Sequence, residues 1–138
     1  AWWDAMKDPG YNQMKYLKWL MLTFPFTERI ADQSIIAGQN GERYDRVIAT
    51  RGNDYLLVYN YSGKPMDIDL GKISGSKKNV WWMNPTDGKL TYLGEYDSKV
   101  TSFSYDAAYL RGSDRVLIAV DATKNYLNKT DTVIPEKQ

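Results

Sequence analysis

Cysteine and histidine are both absent from this 138-residue sequence. Without cysteine, the chain can form no disulfide, no thiolate metal site and no cysteine nucleophile. Without histidine, it lacks the commonest general base and the commonest transition-metal ligand. A hydrolytic triad that depends on histidine is therefore excluded. We expect no cofactor and no metal ion.

The sequence also lacks a surplus of charge and a long apolar run. Its 18 basic and 17 acidic residues leave a net charge of +1, and the tightest basic run is the pair Lys77-Lys78. This balance gives no electrostatic reason to bind nucleic acid or an anionic membrane. No apolar run approaches the roughly 20 residues of a membrane helix. Because the chain opens inside an aromatic segment without an initiator Met, we expect a fragment of a longer protein.

The first thirty residues predict a helical segment. Asp8 can cap a helix and Pro9 suits its first position. The helix is expected from Tyr11 to Leu22 and to end at Phe24-Pro25-Phe26, because Pro disfavours helix in the residue before it. Its apolar stripe has helical spacing. The stripe consists of Met14, Leu17, Leu20 and Met21.

From about Tyr44 onward the pattern changes to β. The continuous apolar run 55–61 indicates a strand buried on both faces or one with an aromatic outer face. Met66, Ile68 and Leu70 alternate with two aspartates, which is typical of a half-buried strand. The other strands are expected at 47–49, 80–83, 90–96, 100–105 and 116–120, with 90–96 as the hairpin partner of 80–83. About seven strands with turns every ~8–12 residues predict an all-β fold, an antiparallel β-sandwich with an N-terminal helical segment.

The chain therefore divides into three parts. Residues 1–30 form a helical junction segment that we assign to the end of an upstream domain. Residues 31–122 form the β-sandwich. Residues 123–138 turn polar and are expected to be a frayed tail.

The adjacent tryptophans Trp81 and Trp82 must face opposite sides of their strand. Val80 and Trp82 share one face, so we expect Trp82 in the core and Trp81 to be the more exposed of the two. An exposed indole can stack on a pyranose ring, and with Tyr92 it is the candidate binding platform. Packing, including packing against another domain, is the more ordinary explanation.

The acidic residues do not form a convincing catalytic pair. Glycoside hydrolysis needs two carboxylates held across a cleft, whereas Asp67, Asp69, Glu95 and Asp97 are expected on a solvated outer face. We therefore expect no catalytic residue in this chain. The helical segment instead carries more apolar side chains than one contact stripe can cover. The candidate domain-interface residues are Trp2, Trp3, Met14, Leu17, Trp19 and Met21.

Taken in order along the chain, several short motifs resemble a known family. They are Trp3, Met6, Asp8-Pro9-Gly10, Gln13-Met14, Leu17, Asp32-Gln33-Ser34-Ile35-Ile36, Ala49-Thr50-Arg51-Gly52, Val58-Tyr59, Trp82, Asn84-Pro85, Asp87-Gly88, Asp114 and Val116-Leu117. The resemblance covers roughly residues 1 to 121. It is to the C-terminal domain called "putative collagen-binding domain of a collagenase", which follows an apiosidase-like (β/α)₈ barrel in proteins of Bacteroidetes.

The resemblance implies a non-catalytic accessory domain that supports a glycoside hydrolase barrel. The family's catalytic carboxylates belong to the barrel, so none transfers to this sequence. The implied partner is an upstream barrel of the same protein, with polysaccharide as a further candidate, and self-association is expected if the barrel is absent. The implied location is periplasmic, cell-surface or secreted. The alternatives are an independent module that binds glycan or collagen and, least favoured, a stand-alone enzyme.

Overall fold

The computed structural model describes residues 11–37, 47–60, 65–97, 99–105 and 114–134, except for the side chains of residues 11–14. The helix start expected at Asp8 and Pro9, as well as Trp2 and Trp3, lies outside these residues. Among the described residues, no helix has the length and apolar character needed to cross a membrane.

An α-helix, α1 (Tyr11–Thr23), precedes the strands. Its apolar stripe forms as expected, because Leu17, Leu20 and Met21 are all buried. The helix ends where Phe24-Pro25 begins, and the Thr23 hydroxyl donates a hydrogen bond to the Trp19 carbonyl in the last turn.

Nine strands follow among the described residues. They are β1 (Ile30–Ala31), β2 (Val47–Arg51), β3 (Tyr55–Asn60), β4 (Met66–Asp69), β5 (Lys78–Asn84), β6 (Lys89–Tyr96), β7 (Val100–Phe103), β8 (Arg115–Asp121) and β9 (Thr132–Val133). The seven longer strands are those predicted from the sequence. The two-residue strands β1 and β9 were not predicted, since two residues are too few to show a period.

The strands form two antiparallel sheets. The large sheet has the order β1-β2-β3-β8-β5-β6-β9, and β4 pairs with β7 in a small second sheet. β6 is the hairpin partner of β5, as predicted. The short 3₁₀ turns Gln33–Ile35 and Leu70–Lys72 begin with aspartate caps, Asp32 and Asp69. The all-β sandwich predicted from the sequence is therefore confirmed.

Both faces of the large sheet are covered. On one face, which we call the sandwich side, Leu56, Val58, Val80 and Trp82 pack with residues of the small sheet. On the opposite face, the helix side, the packed residues come from the sheet, from α1 and from the end of the chain. They include Leu17, Leu20, Met21 and Phe24 of the helical region, Tyr55, Leu57, Trp81, Met83 and Ile118 of the sheet, and Ile134. The six residues of β3 are all buried for this reason, with successive side chains entering different layers.

The end of the chain is part of the fold, so the frayed tail expected at 123–138 is wrong for its described part. We call residues 122–134 the C-terminal segment. Tyr126 and Leu127 pack against the helix-side core, and Ile134 is buried. The Ile134 amide donates to the Gly88 carbonyl at 2.8 Å. Gly88 has a φ of +77° and lies so close to Ile134 and Tyr16 that a side chain would collide with them.

Candidate functional site

The structure brings the two candidate binding residues together. Trp81 and Tyr92 are directly opposite in the β5–β6 register, with ring centroids 5.5 Å apart. Trp81 is only 2% exposed, however, and Trp82 is 7% exposed. The prediction that Trp81 would be the more exposed residue is wrong, because the helix side is covered as thoroughly as the sandwich side.

The C-terminal segment lies over this pair. The Trp81 indole Nε1 donates to the Asn128 carbonyl at 3.0 Å, and the Tyr92 amide donates to the Asp131 carboxylate at 2.8 Å. The half-buried Tyr92 also donates its hydroxyl to Asn79 Oδ1 at 2.6 Å. Burial, reinforced by the charge of Glu95, raises the pKa of Tyr92 above its usual value. The polar groups of the pair are therefore satisfied within the chain, and ligand binding by Trp81 and Tyr92 stays a prediction.

The candidate interface residues separate into three groups. Leu17 and Met21 are buried against the chain's own sheet, so neither has surface left for another domain. The sequence pattern of the helix does not reveal this, because the covering residues come from the distant strands of the sheet. Trp19 is half-buried against the same core. Trp2, Trp3 and the Met14 side chain lie outside the described residues.

An arginine fixes the end of α1 to the sheet. The Arg29 guanidinium donates to the carbonyls of Met21, at 2.8 Å, and Phe24, at 3.3 Å. It also donates to the Tyr55 hydroxyl at 2.7 Å, and that hydroxyl donates in turn to the Pro25 carbonyl at 2.6 Å. A cation at the last carbonyls of a helix is electrostatically favourable. We call Phe24, Arg29, Asp54, Tyr55 and Tyr126 the anchor cluster.

Aromatic stacking completes the anchor cluster. The Phe24 ring stacks on Tyr55 at 4.7 Å, and Tyr126 meets Phe24 edge-on at 5.0 Å. The Tyr126 hydroxyl donates to the Asp54 carboxylate at 2.9 Å. Burial and the Asp54 carboxylate together raise the pKa of Tyr126 to about 12. The cluster thus joins α1, the β2–β3 turn and the C-terminal segment into one unit.

This hydrogen bond predicts a dependence of stability on alkaline pH. The folded-state pKa of Tyr126 lies above the usual 10.0, so the bond stabilises fully below pH 10 and its contribution is lost as pH rises through about 12. Urea unfolding of the wild type and Tyr126→Phe should show a stability difference that shrinks by roughly 1 kcal/mol between pH 9.5 and 11.5, a value reduced for solvent screening. A difference that stays constant over this range would contradict the assigned hydrogen bond.

Two of the less exposed carboxylates, Asp121 and Asp32, serve structural roles. Burial pushes the pKa of Asp121 up, but hydrogen bonds from Ser74 and Thr123 outweigh it and hold that pKa below the usual value. The same balance holds for Asp32, where Ser34 and Arg51 supply the hydrogen bonds and the Arg51–Asp32 ion pair is 2.7 Å long. A general acid needs the opposite shift. Within the described part of the chain, no cluster of three metal-ligating residues occurs.

Three apolar side chains near the end of α1 are exposed. Phe26 and Ile30 were not identified from the sequence as site residues, whereas Leu22 is one of the apolar helix residues that are too many for one contact stripe. Leu22 is 62% exposed, Phe26 is 61% exposed and Ile30 is 50% exposed. In the sequence, Phe24-Pro25-Phe26 served only as a helix stop signal. The useful signal was that Leu22 falls off the buried stripe and that Phe26 follows a proline beyond the helix.

Comparison with known proteins finds one matching family model and similar solved structures of glycoside hydrolases. The family model described as "Putative collagen-binding domain of a collagenase" matches residues 30–120. A crystal structure of a glycoside hydrolase family 5 protein from Bacteroides vulgatus ATCC 8482 is 70% identical with a TM-score of 0.85, over 99% of this chain and 30% of that chain. A second structure, described as a glycoside hydrolase, is 67% identical with a TM-score of 0.80, over 91% of this chain and 28% of that chain. No curated protein matches the chain.

The comparisons also locate the family match within the fold. This chain spans less than a third of the two solved chains. The match to the family model leaves out α1 and the C-terminal segment, which lie before residue 30 and after residue 120. These two elements cover the helix side of the large sheet.

Proposed function

The chain belongs to the family described as "Putative collagen-binding domain of a collagenase", and we propose that it is a non-catalytic accessory β-sandwich of a larger glycoside hydrolase. Its role is to support the catalytic part of that protein. The main support for this proposal is a solved glycoside hydrolase family 5 chain. The region that this chain matches makes up 30% of that solved chain, and the two sequences are 70% identical there. The remainder of such a chain has ample length for a separate catalytic domain.

The side chains support the non-catalytic part of the proposal. Asp32 and Asp121 are held in the ionised form, and Asp54 accepts a hydrogen bond from Tyr126. Asp67 and Glu95 are exposed on different strands, β4 and β6, which belong to different sheets. Asp67 and Glu95 therefore do not form the pair of carboxylates facing each other across a cleft that glycoside hydrolysis needs.

An independent glycan- or collagen-binding module is the alternative. The burial of Trp81 beneath the C-terminal segment disfavours a sugar platform at Trp81 and Tyr92. No observed feature of the described residues favours collagen over other ligands. For location, we propose the periplasm, the cell surface or the extracellular medium, which agrees with the family's description as part of a collagenase.

The proposal predicts that the isolated 138-residue chain lacks glycosidase activity. The test is hydrolysis of a panel of aryl glycosides by this chain and by the complete polypeptide encoded by its gene. We expect turnover by the complete polypeptide alone. Turnover by the isolated chain that survives purification controls and disappears in Glu95→Gln or Asp67→Asn would overturn the proposal.

A further inference from the structure

The exposed apolar side chains are unevenly distributed. Five large ones are exposed among the described residues, and three of them, Leu22, Phe26 and Ile30, fall within nine positions of the chain. The other two, Val100 and Val133, lie on β7 and β9. Single exposed apolar residues are ordinary, whereas a concentration of them marks an interaction site. We call Leu22, Phe26 and Ile30 the helix-end surface.

The backbone beneath the helix-end surface is held in place. Arg29 folds back on the end of the helix through the carbonyls of Met21 and Phe24, and its own amide donates to the Phe26 carbonyl. Ile30 is paired with Arg51 in the large sheet, and its carbonyl accepts a hydrogen bond from the Thr50 hydroxyl at 2.7 Å. The three side chains are therefore presented on an ordered scaffold, which lowers the entropy cost of binding a partner.

The outward side of α1 leads to this surface. Lys15, Lys18 and Leu22 are spaced three and four residues apart and are all exposed, so they share one face of the helix. The 13 residues of α1 span roughly 20 Å. Along this face, the two lysines lie nearer the start of α1, and the apolar helix-end surface lies at its C-terminal end.

We propose that the catalytic part of a glycoside hydrolase chain docks on the helix-end surface, so that α1 lies between that part and the sandwich. This inference rests on the proposed function. The occupant is indicated by length, since about 70% of the similar solved chain lies outside the region that this chain matches. Contacts between domains of one chain bury roughly 600–1,500 Å², and a few central apolar anchors supply most of the energy.

Hydroxyl-radical footprinting tests the inference directly, because it reports the exposure of individual side chains. The complete polypeptide encoded by the gene is compared with the 138-residue chain. Oxidation of Leu22 and Phe26 should slow about fivefold or more in the complete polypeptide, as exposures near 60% fall to core values. Val100 and Val133 are internal controls of similar initial exposure and should be unchanged.

The outcomes separate the two proposals. Protection at Val100, Val133 or elsewhere, without protection at Leu22 and Phe26, would overturn the docking surface and leave the accessory role intact. No protection anywhere in the described residues would overturn the accessory role as well. The melting temperatures of two matched double variants provide a second test. Leu22→Gln with Phe26→Gln should lower the melting temperature of the complete polypeptide but not of the 138-residue chain, whereas Val100→Thr with Val133→Thr should lower neither.

Discussion

A chain that begins at residue 30, where the family match starts, should fail to fold as a soluble monomer. This truncation removes Leu17, Leu20, Met21 and Phe24, all of which are buried in the helix-side core. Burial of each such side chain contributes about 1.5–3 kcal/mol, or about 6–12 kcal/mol for the four. The total stability of a typical domain is about 5–15 kcal/mol. The truncation also uncovers the ring of Tyr55, on which Phe24 stacks.

The measurement is size-exclusion chromatography with near-ultraviolet circular dichroism of residues 30–138 and of the whole chain. We expect aggregation or loss of the aromatic signal in the shorter chain. A cooperative urea transition from a monomeric 30–138 chain would show that the family-matched unit is complete without α1.

Two leucines in the same helix provide a matched control. Leu20 is fully buried and Leu22 is 62% exposed. Leu20→Ala should cost about 2–5 kcal/mol, whereas Leu22→Ala should stay within about 0.5 kcal/mol. Equal costs would mean that the helix does not pack through the face that the structure assigns to it.

The strands were predictable because their periods are local. Met66, Ile68 and Leu70 alternate with exposed or half-buried residues, and each apolar member is buried. The unbroken apolar run of β3 left open a strand buried on both faces or one with an aromatic outer face, and all six residues are buried. The hairpin of β5 and β6 followed from the turn at Asn84–Gly88, since Pro and Gly stood at suitable positions. Each of these inferences depends on neighbours within a few residues.

The order of the strands and the role of the chain's end depend on distant contacts. β8 lies between β3 and β5, a placement that no local pattern reveals. In the C-terminal segment, the polar run 128–132 separates Tyr126 and Leu127 from Ile134, so the composition resembles that of a tail. Their burial arises because the helix side of the sheet leaves room beside α1. The strand order and the packing of the C-terminal segment therefore depend on tertiary contacts that the local composition does not show.

The candidate site shows the same limit. Alternation correctly placed Trp81 and Trp82 on opposite faces, but it carried no information about which face was covered. The expectation of an exposed tryptophan assumed one solvated face, whereas the structure covers both. Leu17 and Met21 were assigned to an interface with another domain because the number of apolar helix residues was large. Leu17 and Met21 pack against the chain's own sheet, and the exposed apolar surface of the helical region is at Leu22 and Phe26.

Trp81→Ala should destabilise the chain by about 3–5 kcal/mol and release the C-terminal segment. The indole fills the helix-side core, contacts the Tyr92 ring and donates to the Asn128 carbonyl. Its loss leaves a cavity beneath the segment and removes one of the segment's attachments. Trp82→Ala should also be costly, but its cavity lies on the sandwich side, where the ring meets Tyr105 at 5.0 Å.

The two variants are expected to differ in whether the C-terminal segment opens locally. Trypsin can cut after Lys124 and Lys129, two exposed residues of the C-terminal segment. Under native conditions, cleavage at these lysines should accelerate in Trp81→Ala well beyond its rate in Trp82→Ala, once both rates are corrected for global stability by urea unfolding. This follows because local opening requires only the contacts of the segment to break. Equal corrected rates would mean that the segment is held independently of Trp81.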